Sequence, residues 1–193
     1  MEPLLVSTGV VALAEVGDKT QLLAFVLATR FKKPWPIIAG IVAATVLNHG
    51  LAGAAGAAIL ALVSPQALRW ALGLSFLAMA AWTLVPDKLD DVKTASTTQA
   101  WGVFTATFIA FFLAEMGDKT QLATIALAAH YAAPLTVVVG TTLGILLADV
   151  PAVLVGEKLA HKIPMKLVHS IAAAIFAALG AATLLGLGGR FGF

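Results

Sequence analysis

The chain has 193 residues, of which 60% are hydrophobic and 11% charged, and its mean hydropathy is +0.97. Soluble domains are usually about half apolar and a quarter charged, so this composition indicates a protein that folds in lipid. Cysteine is absent and the net charge of +2 is small, which excludes disulfide frameworks, thiolate sites and thiol catalysis and gives no sign of a nucleic-acid surface.

Six apolar stretches are long enough to cross a bilayer as helices, which takes roughly 20 residues each. In chain order they are residues 3–29, 35–62, 67–86, 101–129, 134–157 and 164–188. Proline and polar residues separate them. The first stretch is too long for the core of a signal peptide and has no basic segment before it, so we expect it to remain as a spanning helix.

The basic residues of the predicted loops are distributed unequally between the two sides of the membrane. One side has only Arg69 and Arg190, and the other has Arg30, Lys32, Lys33, Lys88, Lys93, Lys158, Lys162 and Lys166. Short loops rich in Lys and Arg stay in the cytoplasm. The sequence therefore predicts that both termini are extracytoplasmic.

An internal repeat is the strongest signal in the sequence. The octapeptide EVGDKTQL at residues 15–22 recurs as EMGDKTQL at residues 115–122, and the same offset of 100 residues aligns Gly40 with Gly140. Two units of three helices must enter the membrane from opposite sides, because three is odd. The predicted fold is an all-α integral membrane protein with six transmembrane helices as two inverted three-helix repeats, an architecture found in secondary transporters. The single domain 1–193 divides into repeat one (1–86), a cytoplasmic loop (87–100) and repeat two (101–193).

Five of the ten acidic residues fall inside predicted spans and away from the span ends, namely Glu15, Asp18, Glu115, Asp118 and Asp149. A carboxylate at mid-bilayer costs at least ~2.5–3.5 kcal/mol. On a continuous helix the two acids and the glutamine of each octapeptide share one arc. Two facing arcs would surround a cavity with carboxylate and amide oxygens, which suit a hard divalent cation. The predicted metal ligands are Glu15, Asp18, Gln21, Glu115, Asp118 and Gln121.

A second group of polar residues supplies weaker candidates for the same site, namely Asn48, Asp149, Thr20, Thr120, Lys19 and Lys119. Each lysine follows its glutamate by four residues, a spacing that favours an ion pair within one helix. Asp149 is interpreted as a ligand or proton carrier, or as a packing hydrogen bond. His49 is either a proton relay or a packing residue, and His169 is predicted to be an interfacial anchor. The octapeptides could also be polar clamps between helices.

Both octapeptides fit the pattern E-x-G-D-[KR]-[TS]. In this the chain resembles the transmembrane-protein-165/Gdt family of manganese and calcium transporters, grouped with the cation/Ca²⁺ exchanger superfamily, over essentially its whole length. The resemblance implies that Mn²⁺ or Ca²⁺ is the transported substrate, that protons are exchanged for it, and that Glu15, Asp18, Glu115 and Asp118 bind the ion. No cofactor is expected. The expected location is a bacterial cytoplasmic membrane, with the cation, protons and lipid as partners, no nucleic acid, and a homodimer left open.

Three other functions compete with this one. A passive cation channel and an exporter of a cationic metabolite would both use an acid-rich site. An intramembrane metal-dependent hydrolase or phosphatase is less favoured, because no Arg lies in the middle of a span and no ligand pair of the His-x-x-Glu type appears in the sequence. The prediction is therefore a secondary transporter that exports Mn²⁺, or else Ca²⁺, rather than an enzyme.

Overall fold

The computed structural model describes residues 1–85, 100–155 and 165–186. These residues form eight α-helices and contain no strand. The helices are α1 (Glu2–Glu15), α2 (Lys19–Phe31), α3 (Pro34–Leu62), α4 (Pro65–Thr83), α5 (Ala100–Glu115), α6 (Lys119–Tyr131), α7 (Pro134–Val155) and α8 (Met165–Leu184). Of the predicted cytoplasmic loop 87–100, only Ala100 is among the described residues.

The octapeptides interrupt the first and fourth predicted spans, so the prediction of continuous helices over 3–29 and 101–129 is wrong. α1 ends at Glu15 and α2 begins at Lys19, and α5 and α6 are bent by 69° at the equivalent place. The backbone has φ of +82° at Gly17 and +75° at Gly117, a region that residues with a Cβ rarely adopt. Asp18 and Asp118 are then extended and start the next helix.

Length and hydropathy alone identify three helices among the described residues that can cross a membrane. They are α3, α7 and the α8 segment Lys166–Leu185, and α5 with α6 counts as a fourth if the bent pair is one span. The all-helical membrane protein expected from the sequence is thus confirmed. The count of six spans remains a prediction.

The two halves pack against each other with matching contacts. α1 lies on α7 and α5 lies on α3. A Cβ at Gly40 would lie 2.9 Å from the carbonyl oxygen of Phe104, and a Cβ at Gly140 would lie 2.8 Å from that of Leu4. Both partners are offset by 100 residues, as the glycines are. Each glycine therefore permits a close crossing of helices, the role that small residues have in membrane proteins.

The remaining helices complete the bundle around this centre. α3 packs on α7, and α4 packs on α8. Leu184 and Leu77 occupy the space beside Gly73 and Gly180 respectively, so the α4–α8 contact also pairs each half with the other. The acidic side chains of both octapeptides are buried within this bundle.

Candidate functional site

Each interruption is braced by the glutamine of its own octapeptide. The backbone N–H of Gly17 donates to Oε1 of Gln21 over 2.8 Å, and that of Gly117 donates to Oε1 of Gln121 over 2.7 Å. The arc predicted for a continuous helix does not exist, because the helix ends between the acid and the glutamine. The amide oxygens that were predicted to face a metal each accept a hydrogen bond from a backbone N–H that would otherwise lack a partner.

The two glutamine amides also link the halves. Nε2 of Gln21 donates to the carbonyl oxygen of Ala148 over 3.0 Å. Nε2 of Gln121 donates to Oδ1 of Asn48 over 3.2 Å. Since residues 48 and 148 are equivalent in the repeat, one interaction is made to a side chain and its counterpart to backbone. In both glutamines, the amide oxygen therefore accepts one hydrogen bond and the amide nitrogen donates another.

The lysines of the octapeptides pair across the repeats. Nζ of Lys19 lies 2.9 Å from Oδ1 of Asp118, and Nζ of Lys119 pairs with Oδ1 of Asp18. The ion pair predicted between each lysine and the glutamate four residues before it is wrong for Glu15, whose carboxylate oxygens have no hydrogen-bond partner among the described residues. These crossed pairs bring the two octapeptides face to face, as the repeat predicts.

Glu115 is held by neutral donors from α3. The hydroxyl of Thr45 donates to its Oε1 over 3.0 Å, and Nδ2 of Asn48 lies 3.4 Å from its Oε2. Asn48 also donates to the carbonyl oxygen of Phe112 over 3.0 Å. Thr45 was not among the candidates from the sequence. Its position one helical turn before Asn48 is the signal that could have identified it.

Three more acidic residues accompany the crossed ion pairs. Glu15 and Glu115 belong to the octapeptides, and Asp149 follows Ala148, whose carbonyl oxygen accepts a hydrogen bond from Gln21. Glu15, Asp149 and Glu115 are fully buried. The hydroxyls of Thr20 and Thr120, which were candidate ligands, are also buried and have no hydrogen-bond partner among the described residues. The site is thus a buried cluster of oxygen atoms with more acidic than basic groups.

No group of three or more His, Asp or Glu side chains stands close enough to chelate a metal within the described part of the chain. Two crossed ion pairs and one pair of neutral donors already occupy part of the carboxylate oxygens. A cation bound here would therefore need oxygen ligands of other types, such as amide, hydroxyl or water, which Ca²⁺ and Mg²⁺ sites in proteins commonly include.

Two histidines take positions that the sequence did not predict in detail. Nδ1 of His49 lies 2.7 Å from the hydroxyl of Thr141 and 3.2 Å from that of Thr124, contacts that suit either of its two predicted roles. Nε2 of His169 lies 2.7 Å from the carbonyl oxygen of Val16. The prediction that His169 is only an interfacial anchor is incomplete, because this bond ties α8 to the interruption between α1 and α2.

Comparison with known proteins decides the family. The sequence model of the family described as "Divalent cation/proton antiporter GDT1" matches residues 3–91 and 103–189. The chain belongs to this family. The resemblance found from the octapeptides is thereby confirmed.

Individual relatives agree with the family assignment. A protein of Vibrio cholerae, provisionally named as a manganese exporter, is 55% identical over 165 residues, which are 85% of this chain and 81% of the relative. A GDT1-like protein of Synechocystis is 30% identical over 79% of this chain and 82% of its own length. GDT1-like protein 3 of Oryza sativa subsp. indica is 31% identical over 84% of this chain and 66% of its own length. No solved structure matches the chain.

Membership of a cation-transporter family excludes the intramembrane hydrolase considered above. A divalent cation is then a substrate that passes through the protein, and the family calls for no cofactor.

Proposed function

We propose that the protein exports Mn²⁺ from the cytoplasm in exchange for protons, through the buried site between the two octapeptides. Ca²⁺ has similar ligand chemistry and is the second candidate substrate. The observation that carries the proposal is the crossed pairing of Lys19 with Asp118 and of Lys119 with Asp18, because it brings the two acidic motifs to one place. The family of divalent cation/proton antiporters and the relative provisionally named as a manganese exporter support the choice of ions.

The proposed exchange follows from the cost of burying charge. Carboxylates removed from water cannot all stay ionised without a counter-charge, so the cluster holds either protons or a cation. Binding of Mn²⁺ then expels protons, and protons arriving from the other side release Mn²⁺. With an inward proton gradient, this coupling drives Mn²⁺ outward.

The proposed architecture is two inverted three-helix repeats that cross the membrane six times, with both termini extracytoplasmic and the chain in the bacterial inner membrane. The matching contacts of Gly40 and Gly140 support the duplication. The interrupted helices support a transport role, because transporter sites are commonly built where helices break near the membrane midplane. Rocking of one repeat against the other would expose the site alternately to each side.

The proposal is tested with purified protein in liposomes that contain a Mn²⁺-quenched dye in one preparation and a pH dye in another. With Mn²⁺ equal on both sides and an imposed pH gradient, we expect Mn²⁺ to move uphill against the protons. A protonophore should abolish this movement. A passive channel would equilibrate Mn²⁺ but would never concentrate it, and Mn²⁺ movement without opposing proton movement at any pH would rule out the exchange.

The motif acids are tested in the same assay. Asp18→Asn and Asp118→Asn should each reduce Mn²⁺ flux at least about 100-fold, as loss of an anionic ligand or its ion pair would require. Glu2→Gln changes an exposed acid at the start of α1 and serves as the matched control, with flux expected to stay at the level of the unmodified protein. Size-exclusion profiles verify that each variant folds. Full flux in both aspartate variants would remove the proposed site.

A further inference from the structure

α8 contacts the first interruption through one histidine. His169 lies in the second turn of α8, and its Nε2 is 2.7 Å from the carbonyl oxygen of Val16. A carbonyl oxygen can only accept a hydrogen bond, so Nε2 carries the proton and donates it. Carbonyl groups at the end of a helix need a partner from outside that helix. His169 therefore satisfies backbone that the break between α1 and α2 leaves without a partner.

The second interruption has no equivalent bond. The repeat offset of 100 residues aligns His169 with Arg69 of α4 and Val16 with Met116. In the described part of the chain, no hydrogen bond joins Arg69 to Met116. The Nε of Arg69 is buried and has no hydrogen-bond partner among those residues, and its Nη1 would lie 3.2 Å from a Cβ at Gly186, beyond the end of α8. Buried donors without a partner are rare, so Arg69 has an unused donor in this conformation.

The helices that carry these two side chains lie off the symmetric centre of the bundle. The central contacts match, since α1 lies on α7 as α5 lies on α3. The outer contacts do not match: α8 packs on α1, whereas α4 packs on α6 instead of on α5 within the described ranges. α4 and α8 pack closely on each other at Gly73 and Gly180. The two helices are therefore displaced together, toward the first interruption on the side of α8.

Exposure differs between the two interruptions in the same sense. Val16 and Gly17, at the interruption that α8 contacts, are half-buried. Met116 is 48% exposed, and no atom lies within 4 Å of a Cβ placed on Gly117. Lys19, whose ion pair is with the second octapeptide, is also partly exposed. The exposed part of a lysine in a membrane protein has to reach water or headgroups, so we expect water to reach the second interruption.

We propose that His169 is a positioning residue that holds α8 against the first interruption and thereby closes the buried site on that side while the other side is open. The inference rests on the proposed function, in which inverted repeats expose the site alternately. If the two repeats exchange conformations, the opposite state has α4 on α5. Arg69 then donates to the carbonyl oxygen of Met116, and His169 leaves Val16.

The chemistry of the two side chains suits this exchange. Imidazole Nε2–H and guanidinium N–H groups both donate hydrogen bonds, and the acceptor in each state is a backbone carbonyl group, which any residue at positions 16 and 116 provides. In the proposed orientation α8 begins at the cytoplasmic face and α4 at the outer face. The conformation described is then closed toward the cytoplasm and open toward the outside.

The test makes use of a chain without cysteine. Val16→Cys and Met116→Cys each introduce one thiol at the same position of an octapeptide and leave the backbone carbonyl group in place. The purified proteins are labelled with a charged methanethiosulfonate reagent, which reacts with the thiolate form and hence with thiols that water reaches. With His169 present, we expect the thiol at position 116 to react faster than the thiol at position 16.

Removal of the donor should shift the two rates in opposite directions. Loss of one hydrogen bond changes an equilibrium about two- to twelvefold, so His169→Leu should raise the rate of Val16→Cys by up to this factor and lower that of Met116→Cys. His169→Gln retains an N–H donor and should restore both rates. Arg69→Leu should have the opposite effect on each rate, because it removes the donor of the other state. Ser170→Ala, whose hydroxyl bonds only within α8, is the control and should change neither.

The outcomes separate a positioning role from a general effect on stability. A loosened fold would raise both labelling rates together, and either that result or unchanged rates in His169→Leu would overturn the proposal. If His169→Leu cannot be purified, Arg69→Leu decides, since the proposal requires a slower reaction of Val16→Cys and a faster one of Met116→Cys. Labelling requires no ion. A protein that moves neither Mn²⁺ nor Ca²⁺ would therefore reject the proposed function, while the labelling rates still test the contact of His169.

Discussion

The two octapeptides have nearly the same sequence and the same local geometry, yet they lie in different surroundings. In both, a glycine with positive φ is followed by an extended aspartate, and a glutamine braces the interruption. The ion pair of Lys119 with Asp18 is buried, with side-chain exposures of 2% and 0%. In the pair of Lys19 with Asp118, the lysine is 25% exposed.

The difference between the two pairs comes from the packing of the other helices. α8 packs on α1, where His169 reaches the carbonyl oxygen of Val16, whereas α4 packs on α6. The α4–α8 pair therefore touches the two interrupted spans at different places. The octapeptides themselves are nearly identical, so their sequences do not explain the difference in exposure.

The largest expected effect is the loss of stability when the buried ion pair of Lys119 with Asp18 is broken. Lys119→Met leaves a buried aspartate without its cross-repeat lysine, and removal of one partner of a buried pair costs about 3–5 kcal/mol. Lys19→Met should cost less than half as much, because water reaches Lys19 and screens the pair. Unfolding in detergent, followed by tryptophan fluorescence, measures both variants. Equal costs would mean that the two pairs are equally buried in solution.

A smaller effect is expected at the interruption itself. Gly117→Ala should destabilise the protein by about 1–2 kcal/mol, because an alanine Cβ is unfavourable at positive φ. No atom lies within 4 Å of the added Cβ, so the cost comes only from the backbone. Gly9→Ala is the matched control, since its Cβ also meets open space inside a helix, where alanine is favoured. If Gly117→Ala is as stable as the unmodified protein, residue 117 does not have a positive φ in solution and the prediction is wrong.

The smallest expected effect concerns the bond that distinguishes α8 from α4. His169→Leu removes the donor to Val16 and should cost about 0.5–1.5 kcal/mol. The same variant should also change the rate of Mn²⁺ flux, since it loosens α8 from one interrupted span. Ser170→Ala is the control, because this exposed hydroxyl bonds only within its own helix. If both variants change flux equally, His169 has no special connection to the site.

The sequence predicts what depends on hydropathy and on the repeat. The predicted span 35–62 differs from α3 by one residue at its start, and 134–157 agrees with α7 up to the last described residue. The sequence also predicts that the two octapeptides face each other, because both carry acids that would otherwise lie exposed to lipid. Hydropathy cannot show that the helix breaks after Glu15, because Val16 and Gly17 are as apolar as the rest of the span.

The residues that contact the octapeptides were harder to predict, since these contacts depend on which helices pack against each other. Spacing within one helix favours a bond from Lys19 to Glu15, but the interruption turns Lys19 toward Asp118. Thr45 looks like an ordinary residue of an apolar helix until α3 is packed on α5. His169 reaches Val16 across 153 positions of the chain, and no local pattern carries that information.

The crossed ion pairs have a consequence for the origin of the chain. In each crossed pair, the lysine and the aspartate belong to different halves. In the proposed inverted arrangement, an ancestor of half this length would have required a second copy inserted upside down to complete its core. Duplication and fusion of such a gene would have made that dual-topology dimer permanent, and would then have allowed α3 and α7 to diverge separately.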